Sequence, residues 1–233
     1  MNPTPPPTSR ELPHLLAGAR CILLDFDGPM CAVFAGLPAR QVAQRMRDRL
    51  TQAAVPFDDS EATDDPMVLL ARAASSPQGQ RLAEHLLQAA EADAIATAAP
   101  TVGAVDLVRN ANDSDRLVVI VSNNSAPAIR AYLDHHGITP HIHHVVGRDP
   151  NDATLMKPDP HLVQIALRLA DTRPEQTVFV GDSVSDVAAG LACHVPVIGY
   201  ANKPHKEAAL ADAGAAAVVT SLRPVVEALT APH

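Results

Sequence analysis

The chain contains few aromatic residues. Its 233 residues include four Phe, two Tyr and no Trp. Because proteins bind single-stranded nucleic acid largely by stacking bases on aromatic side chains, this scarcity disfavours such a role. Hydrophobic residues nevertheless make up 47% of the chain, which excludes a mainly disordered protein. The core must therefore be built from Ala, Val, Leu and Ile.

Positive charge, paired cysteines and long apolar runs are also scarce. The formal net charge of −8 disfavours a surface that binds a polyanion such as nucleic acid. The three cysteines, Cys21, Cys31 and Cys193, form no CxxC pattern, so we expect reduced thiols. No run approaches the roughly 20 apolar residues of a membrane span. The proline-rich residues 1–8 lack the apolar segment of a signal peptide and are expected to form a mobile tail. We expect a soluble, cytoplasmic protein with no nucleic-acid or membrane partner.

Short apolar runs predict a parallel sheet. Residues 21–24, 117–121 and 177–180 show no alternation of polar and apolar residues, which is typical of strands covered on both faces. Weaker strand candidates are residues 144–146, 195–198 and 217–219. Helical patterns lie between these runs, and for one of these helices Asp159 is the predicted N-cap and Pro160 the predicted first residue. The alternation predicts an α/β fold: a Rossmann-like parallel sheet with helices on both faces.

Residues 31–100, which we call the insert, interrupt this alternation. They contain no strand-like run and are too many for a connecting loop. Helical patterns occur instead, at Val42, Met46 and Leu50, at Met67, Leu70 and Ala71, and at Leu82, Leu86, Ala89 and Ala90. We therefore predict an all-helical cap domain formed by residues 31–100, inserted into an α/β core domain formed by residues 1–30 and 101–233.

Polar residues follow each of the three best strand candidates. These clusters are Asp25-Phe26-Asp27-Gly28, Ser122-Asn123-Asn124 and Gly181-Asp182-Ser183-Val184-Ser185-Asp186. In an open parallel sheet, ligands bind outside the carboxyl ends of the strands. The three clusters are therefore expected to meet at one edge of the sheet, although they are far apart in sequence.

The order of these motifs resembles that of the haloacid dehalogenase superfamily of phosphohydrolases. The chain has Asp-x-Asp-Gly, then Ser-Asn, then Lys157-Pro158, then Gly-Asp-x-x-x-Asp. The position of the insert, directly after the first motif, matches the helical type-one cap of that superfamily. Phosphoglycolate-phosphatase-like enzymes are the branch that the chain resembles. The apolar continuation Pro29-Met30-Cys31 departs from the usual Gly-Thr-Leu and puts the transfer of any particular substrate in doubt.

The resemblance implies a role for each motif residue. Asp25 would be the nucleophile that forms an aspartyl-phosphate, and Asp27 the general acid and base. Ser122, Asn123 and Gly28 would bind the substrate phosphate, and Lys157 would neutralise the transferring group. Mg2+ would be held by Asp25, by Asp27 through its carbonyl, and by Asp182 and Asp186. The implied reaction is Mg2+-dependent hydrolysis of a phosphomonoester of a small metabolite.

The charges of these residues predict that the metal is obligatory. The four carboxylates carry four negative charges and Lys157 returns only one, yet the substrate is a phosphate dianion. At an effective dielectric constant near 20, a like-charge contact at ~4 Å costs roughly 4 kcal/mol. A divalent cation removes most of this repulsion.

Two other functions remain open from the sequence. A sugar phosphomutase of the same fold also carries Asp-x-Asp-Gly and a helical cap. A phospho-accepting receiver module uses similar residues, but there the acidic pair comes first and the acceptor later, which is the reverse of the order here.

The histidines at positions 135, 136, 141, 143 and 144 match no zinc spacing, so we expect surface or strand-end roles for them. The sequence indicates nothing about oligomeric state.

Overall fold

The computed structural model describes residues 12–59 and 61–230. Within them, six parallel strands form one sheet in the order β3-β2-β1-β4-β5-β6. The strands are β1 Cys21–Leu24, β2 Leu117–Val121, β3 His144–Val146, β4 Thr177–Gly181, β5 Val197–Tyr200 and β6 Ala217–Val219. The predicted parallel sheet is confirmed, and this strand order is that of doubly wound nucleotide-binding folds. The predicted mobile tail, residues 1–8, lies outside the described residues.

Ten α-helices accompany the sheet in the described residues. They are α1 Leu12–Ala17, α2 Ala39–Gln52, α3 Pro66–Ala73, α4 Pro77–Ile95, α5 Ala104–Asp113, α6 Ala126–His135, α7 His161–Leu169, α8 Val184–Ala192, α9 Lys206–Asp212 and α10 Arg223–Thr230. No helix in this part of the chain combines the length and the apolar character that a membrane span requires.

The helices cover both faces of the sheet. Side chains alternate along a strand, so Ile22 and Leu24 of β1 face a core shared with α1, α5, α6 and α10. Cys21 and Leu23 face the opposite core, shared with α7, α8 and α9. Both cores exclude water from β1, which explains why its sequence is uniformly apolar.

The register of β1 sets the position of the polar clusters. Leu24 pairs with Ile120 of β2 on one side and with Val180 of β4 on the other. The next residues along these three strands therefore leave the sheet at the same edge. Asp25 remains attached to that edge, because its backbone N–H donates to the Val180 carbonyl at 2.9 Å.

The insert contains helices α2, α3 and α4, as predicted, and these pack on each other around a separate apolar cluster. The predicted apolar face of α4, with Leu82, Leu86, Ala89 and Ala90, is only partly correct. Leu82, Leu86 and Ala90 are partly buried and Ala89 is exposed. The deeply buried face is the neighbouring one, with Gln80, Glu84, Leu87, Glu91 and Ala94. The division of the chain into cap and core domains stays a prediction.

Two predicted boundaries differ from the structure by one or two residues. The predicted strand 195–198 is observed as Val197–Tyr200, because Pro196 lies before the strand and contributes only its carbonyl, which accepts from Phe179 N at 3.0 Å. Helix α7 begins at His161 rather than Pro160. The predicted capping residue Asp159 does accept from the His161 N–H, at 2.9 Å.

Candidate active site

Lys157 lies at the centre of the polar edge of the sheet. Its Nζ is 2.8 Å from Oδ1 of Asp25 and 2.6 Å from Oδ1 of Asp186. The same nitrogen donates to the carbonyl of Val121 at 2.9 Å. Burial alone would lower the pKa of Lys157, but the carboxylates of Asp186 and Asp25 raise it above its ordinary value. The lysine therefore stays charged in a buried position.

Asn123 holds the segment that carries this lysine. Its side-chain oxygen accepts from the backbone N–H of Lys157 at 2.8 Å, and its side-chain nitrogen donates to the Lys157 carbonyl at 3.0 Å. Asn123 lies two residues beyond the end of β2, so these two bonds fix the lysine relative to the sheet. The sequence predicted phosphate binding by the backbone of Asn123 and missed this role of its side chain.

Three buried carboxylates lie close together at this edge. One oxygen from each of Asp25, Asp182 and Asp186 lies within 4.8 Å of the others. Burial and the Asp186 carboxylate raise the pKa of Asp25 well above its usual range, against the opposing effect of Lys157. Burial also raises the pKa of Asp182. An isolated cluster of this kind is unfavourable, and a bound cation would stabilise its ionised form.

Asp186 also organises the beginning of α8. Its Oδ2 accepts from the backbone N–H groups of Asp182 and Ser183 at 3.1 and 3.0 Å, and from Ser183 Oγ at 2.7 Å. Ser183 Oγ in turn accepts from the Asp186 N–H, which completes a capping box. This rigid turn fixes Asp182, and Oδ1 of Asp186 faces Lys157.

Asp182 has two further partners that the sequence analysis did not assign. Its Oδ2 accepts from Asn202 Nδ2 at 2.8 Å and from Lys206 Nζ at 2.5 Å. Both residues follow β5. The sequence feature that could have indicated Lys206 is the scarcity of lysine. The chain contains only Lys157, Lys203 and Lys206, and two of these three contact the acidic cluster.

Asp27 and Gly28 form the turn that leaves β1. Asp27 is partly exposed, and its Oδ1 accepts from the Val33 N–H at 2.9 Å, so its carboxylate is not part of the three-carboxylate cluster. Burial raises the pKa of Asp27 to about 6, although the bond from Val33 opposes the shift. Gly28 has φ +115°, and a Cβ at this position would lie 2.4 Å from Cγ of Asp182. Only glycine fits between the first and last motifs.

The serine segment completes the edge. Ser122 is buried, and its N–H donates to the Val146 carbonyl of β3 at 2.9 Å. Its hydroxyl donates to Asn124 Oδ1 at 3.0 Å and accepts from the Asn124 N–H at 3.2 Å. The structure thus brings the four motifs to one edge, with Asp25, Lys157, Asp182 and Asp186 in one cluster and Asn123 bonded to the lysine segment. The catalytic, phosphate-binding and metal-binding roles of the individual residues stay predictions.

The histidines take part in local packing. His136 Nε2 lies 3.0 Å from the Ala98 carbonyl, and His143 Nδ1 accepts from the Val118 N–H at 3.1 Å. In the part of the chain that the structure describes, the three aspartates are the one group with metal-ligand spacing.

A family model described as haloacid dehalogenase-like hydrolase matches residues 19–194. The chain belongs to this family of hydrolases. It is 32% identical over 115 residues to a phosphoglycolate phosphatase of Salmonella paratyphi A, which covers 49% of this chain and 44% of the relative. It is 46% identical over 79 residues to the plasmid phosphoglycolate phosphatase of Cupriavidus necator, which covers 32% of each chain. The matched segments thus span half or less of these relatives' length.

Solved structures share the fold over most of the chain. A predicted phosphatase from Clostridium acetobutylicum superposes with a TM-score of 0.71 at 15% identity, covering 90% of this chain and 97% of the other. A haloacid dehalogenase family hydrolase from Deinococcus radiodurans, solved with bound phosphate and sodium, has a TM-score of 0.61 and 25% identity. It covers 93% of this chain and 100% of the other.

Proposed function

We propose that this protein is a Mg2+-dependent phosphatase that hydrolyses a phosphomonoester of a small metabolite through an aspartyl-phosphate intermediate. The observation that carries the proposal is the contact of Lys157 with both Asp25 and Asp186 beside Asp182, at the carboxyl edge of the sheet. The phosphoglycolate phosphatases among the relatives support the substrate class, and the Deinococcus structure with bound phosphate supports an anion site in this fold.

The residues present fit a magnesium ion. Asp25, Asp182 and Asp186 offer only carboxylate oxygens, which are the ligands a hard cation prefers, and they are packed more closely than ionised carboxylates tolerate alone. Asp25, Asp182 and the carbonyl of Asp27 would hold the ion, with Asp186 steadying it and bracing Lys157 and the α8 turn. A bound Mg2+ would neutralise charge on the phosphoryl oxygens.

Asp25 performs the first chemical step of the proposed reaction. One of its oxygens forms a bond to phosphorus while the bond between phosphorus and the ester oxygen breaks, and Asp27 gives its proton to the leaving oxygen. Lys157 holds Oδ1 of Asp25 and places positive charge beside the transferring group. The raised pKa of Asp27, about 6, suits a carboxyl group that must still carry a proton near neutral pH.

The second step releases inorganic phosphate. Asp27, now ionised, removes a proton from a water molecule, which attacks the phosphorus of the aspartyl-phosphate and restores the Asp25 carboxylate. The Ser122 hydroxyl and the N–H of Asn123 would bind phosphoryl oxygens in both steps.

The insert is proposed to act as a cap over the site. It begins at the segment that holds Asp27, through the bond from Val33. It also packs on the loop before Lys157, because Ala153 and Met156 belong to its apolar cluster. Closure of such a cap would exclude bulk water and large substrates.

The three cysteines are free and buried, as expected in the cytoplasm, which we propose as the location.

The test is a panel of phosphorylated metabolites that begins with phosphoglycolate, assayed with Mg2+ for released inorganic phosphate. Asp25→Asn should lose at least about a thousandfold in rate. Asp113→Asn, an exposed aspartate on α5, is the matched control and should leave the rate unchanged. If the Asp25 variant retains most of the activity, the nucleophile is wrong. An isomerised sugar phosphate in place of free phosphate would indicate a phosphomutase.

A further inference from the structure

A buried ionic network joins α4 of the insert to the serine segment of the site. Glu84, Glu91 and Arg148 are all buried, with the side chain of Arg148 fully inaccessible. Arg148 donates from Nε to Glu84 Oε2 at 2.7 Å and from Nη2 to Glu84 Oε1 at 3.0 Å. Its Nη1 donates to Glu91 Oε1 at 2.5 Å. Three charged side chains from two distant parts of the chain are thus removed from water together.

Glu91 also bonds directly to the segment that follows Ser122. Its Oε1 accepts from Asn124 Nδ2 at 3.0 Å, and its Oε2 accepts from the Ser125 N–H at 3.1 Å. Arg148 reaches the same segment, because Nη1 donates to the Asn123 carbonyl at 3.0 Å. The network therefore ends on three consecutive residues that directly follow Ser122, and one of them, Asn123, is itself a predicted phosphate-binding residue.

The carboxylate decides how Asn124 is oriented. Glu91 can only accept, so the amide nitrogen of Asn124 must face it, and Oδ1 of Asn124 must face the Ser122 hydroxyl. That hydroxyl is consequently held between Oδ1 and the backbone N–H of the same asparagine. A glutamine at position 91 has one N–H2 group in place of a carboxylate oxygen. In one orientation this donor faces the donors of Asn124 and Arg148, and in the other it faces the Ser125 N–H, so one accepted hydrogen bond is lost either way.

We propose that Glu91, held by Arg148, is a positioning residue that sets the conformation of residues 122–125 and thereby fixes the position of Ser122 Oγ, whose hydrogen turns from Asn124 Oδ1 to a phosphoryl oxygen when one binds. This inference rests on the proposed function for its ligand. It assigns a function to a buried acidic residue of α4 that does not contact the reacting atoms.

The first test does not depend on catalysis. Glu91→Gln should increase amide hydrogen exchange at Ser125 and its neighbours at least tenfold, whereas Asp93→Asn, an acid-to-amide change at an exposed position of the same helix, should not. In the unmodified protein the Ser125 amide should be as protected as the strand amides. Fast exchange at Ser125 in the unmodified protein would overturn the proposal even if the Glu91 variant does not fold.

The second test measures binding of inorganic phosphate by calorimetry with Mg2+ present. Glu91→Gln should raise the dissociation constant at least fivefold. Ser122→Ala should raise the dissociation constant by a similar factor. In the double variant the dissociation constant should rise by much less than the product of the two single factors, because both changes act through one hydroxyl. Additive effects, or unchanged binding in Glu91→Gln, would overturn the proposal.

A charge-conserving exchange checks the route through Asn124. Glu91→Gln with Asn124→Asp keeps one negative charge beside Arg148 and restores the side-chain bond with its donor and acceptor reversed. The double variant should bind phosphate more tightly than Glu91→Gln alone, and no recovery would contradict an action through Asn124. If the unmodified protein binds no phosphate, the proposed function fails, while the exchange experiment still decides whether Glu91 orders the segment.

Discussion

At the scale of the residue, Lys157 is shared by two buried carboxylates. Asp25 and Asp186 both lie within 2.8 Å of its Nζ, so this buried group of three carries one negative charge in excess. Such a charge is unfavourable for folding and is retained where function requires it. Stability and the proposed catalytic role therefore make opposite demands on Asp25.

Removing the excess charge should stabilise the fold. Burial and Asp186 raise the pKa of Asp25, so its ionisation costs folding free energy as the pH rises from the unfolded pKa near 4 through the higher folded pKa. At pH 8 with EDTA, Asp25→Asn should melt about 2–4 °C higher than the unmodified protein, the shift that about 1 kcal/mol produces in a chain of this size. Calorimetry checks this expectation, and a clear fall in melting temperature would contradict it.

Added Mg2+ should raise the melting temperature of the unmodified protein more than that of the Asp25→Asn variant.

Lys206 should weaken the binding of a divalent cation. Its ammonium group lies 2.5 Å from Oδ2 of Asp182, where it repels a second positive charge. Lys206→Gln should therefore bind Mg2+ about fivefold more tightly in calorimetric titrations without substrate, which corresponds to about 1 kcal/mol. Lys203→Gln changes the same charge at an exposed position nearby and is the control. Weaker Mg2+ binding in the Lys206 variant would mean that the lysine stabilises the metal site instead.

At the scale of the element, the strands were predictable from the sequence, whereas the buried face of α4 was not. Residues 117–121, 144–146 and 217–219 were predicted within the observed bounds, because apolar runs between polar turns identify buried strands locally. Glu84 and Glu91 lie outside the apolar pattern from which this helix was predicted, yet both are buried. Their partner Arg148 is more than fifty residues away in sequence, and local periodicity carries no information about such a contact. Leu87, midway between the two acids, was the sequence feature that could have indicated that this face of α4 is buried.

The buried face of α4 can be tested by two neighbouring leucines. Leu87 is fully buried in the apolar cluster of the insert, whereas Leu86 is only partly buried. Leu87→Ala should lower the free energy of unfolding by about 2–5 kcal/mol, because it leaves a cavity. Leu86→Ala should cost about 1 kcal/mol or less. Urea denaturation measures both, and a larger loss at Leu86 would mean that the face predicted from the sequence is the buried one.

At the scale of the whole molecule, the acidic edge should make a divalent cation indispensable. Asp25, Asp27, Asp182 and Asp186 carry four negative charges when ionised. Among residues 12–59 and 61–230, Lys157 and Lys206 are the cations that form ion pairs with these aspartates. Exhaustive chelation should therefore abolish hydrolysis of phosphomonoesters, and MgCl2 but not NaCl should restore it. Circular dichroism before and after chelation is the control for folding. Substantial turnover without divalent cations would contradict the mechanism.

The convergence of the motifs was predictable from the sequence because parallel strands end at one edge, but their direct bonds were not. Asn123 binding the backbone of Lys157, and Lys206 binding Asp182, depend on loops whose course no repeating pattern specifies. The sequence identified which residues meet, and the structure adds how each is held.

The strand order also determines when the site can exist during protein synthesis. Strand β1 lies between β2 and β4, and Asp25 is bonded to the backbone of β4 at Val180. A ribosome makes Asp25 early and Asp182 late. A nascent chain that has not yet released β4 and α8 therefore has a first strand that can pair only with β2, and an incomplete set of acids. The acids that we propose for hydrolysis are therefore all present only once the last quarter of the chain is being made, and a chain that ends before Asp186 lacks part of the proposed site.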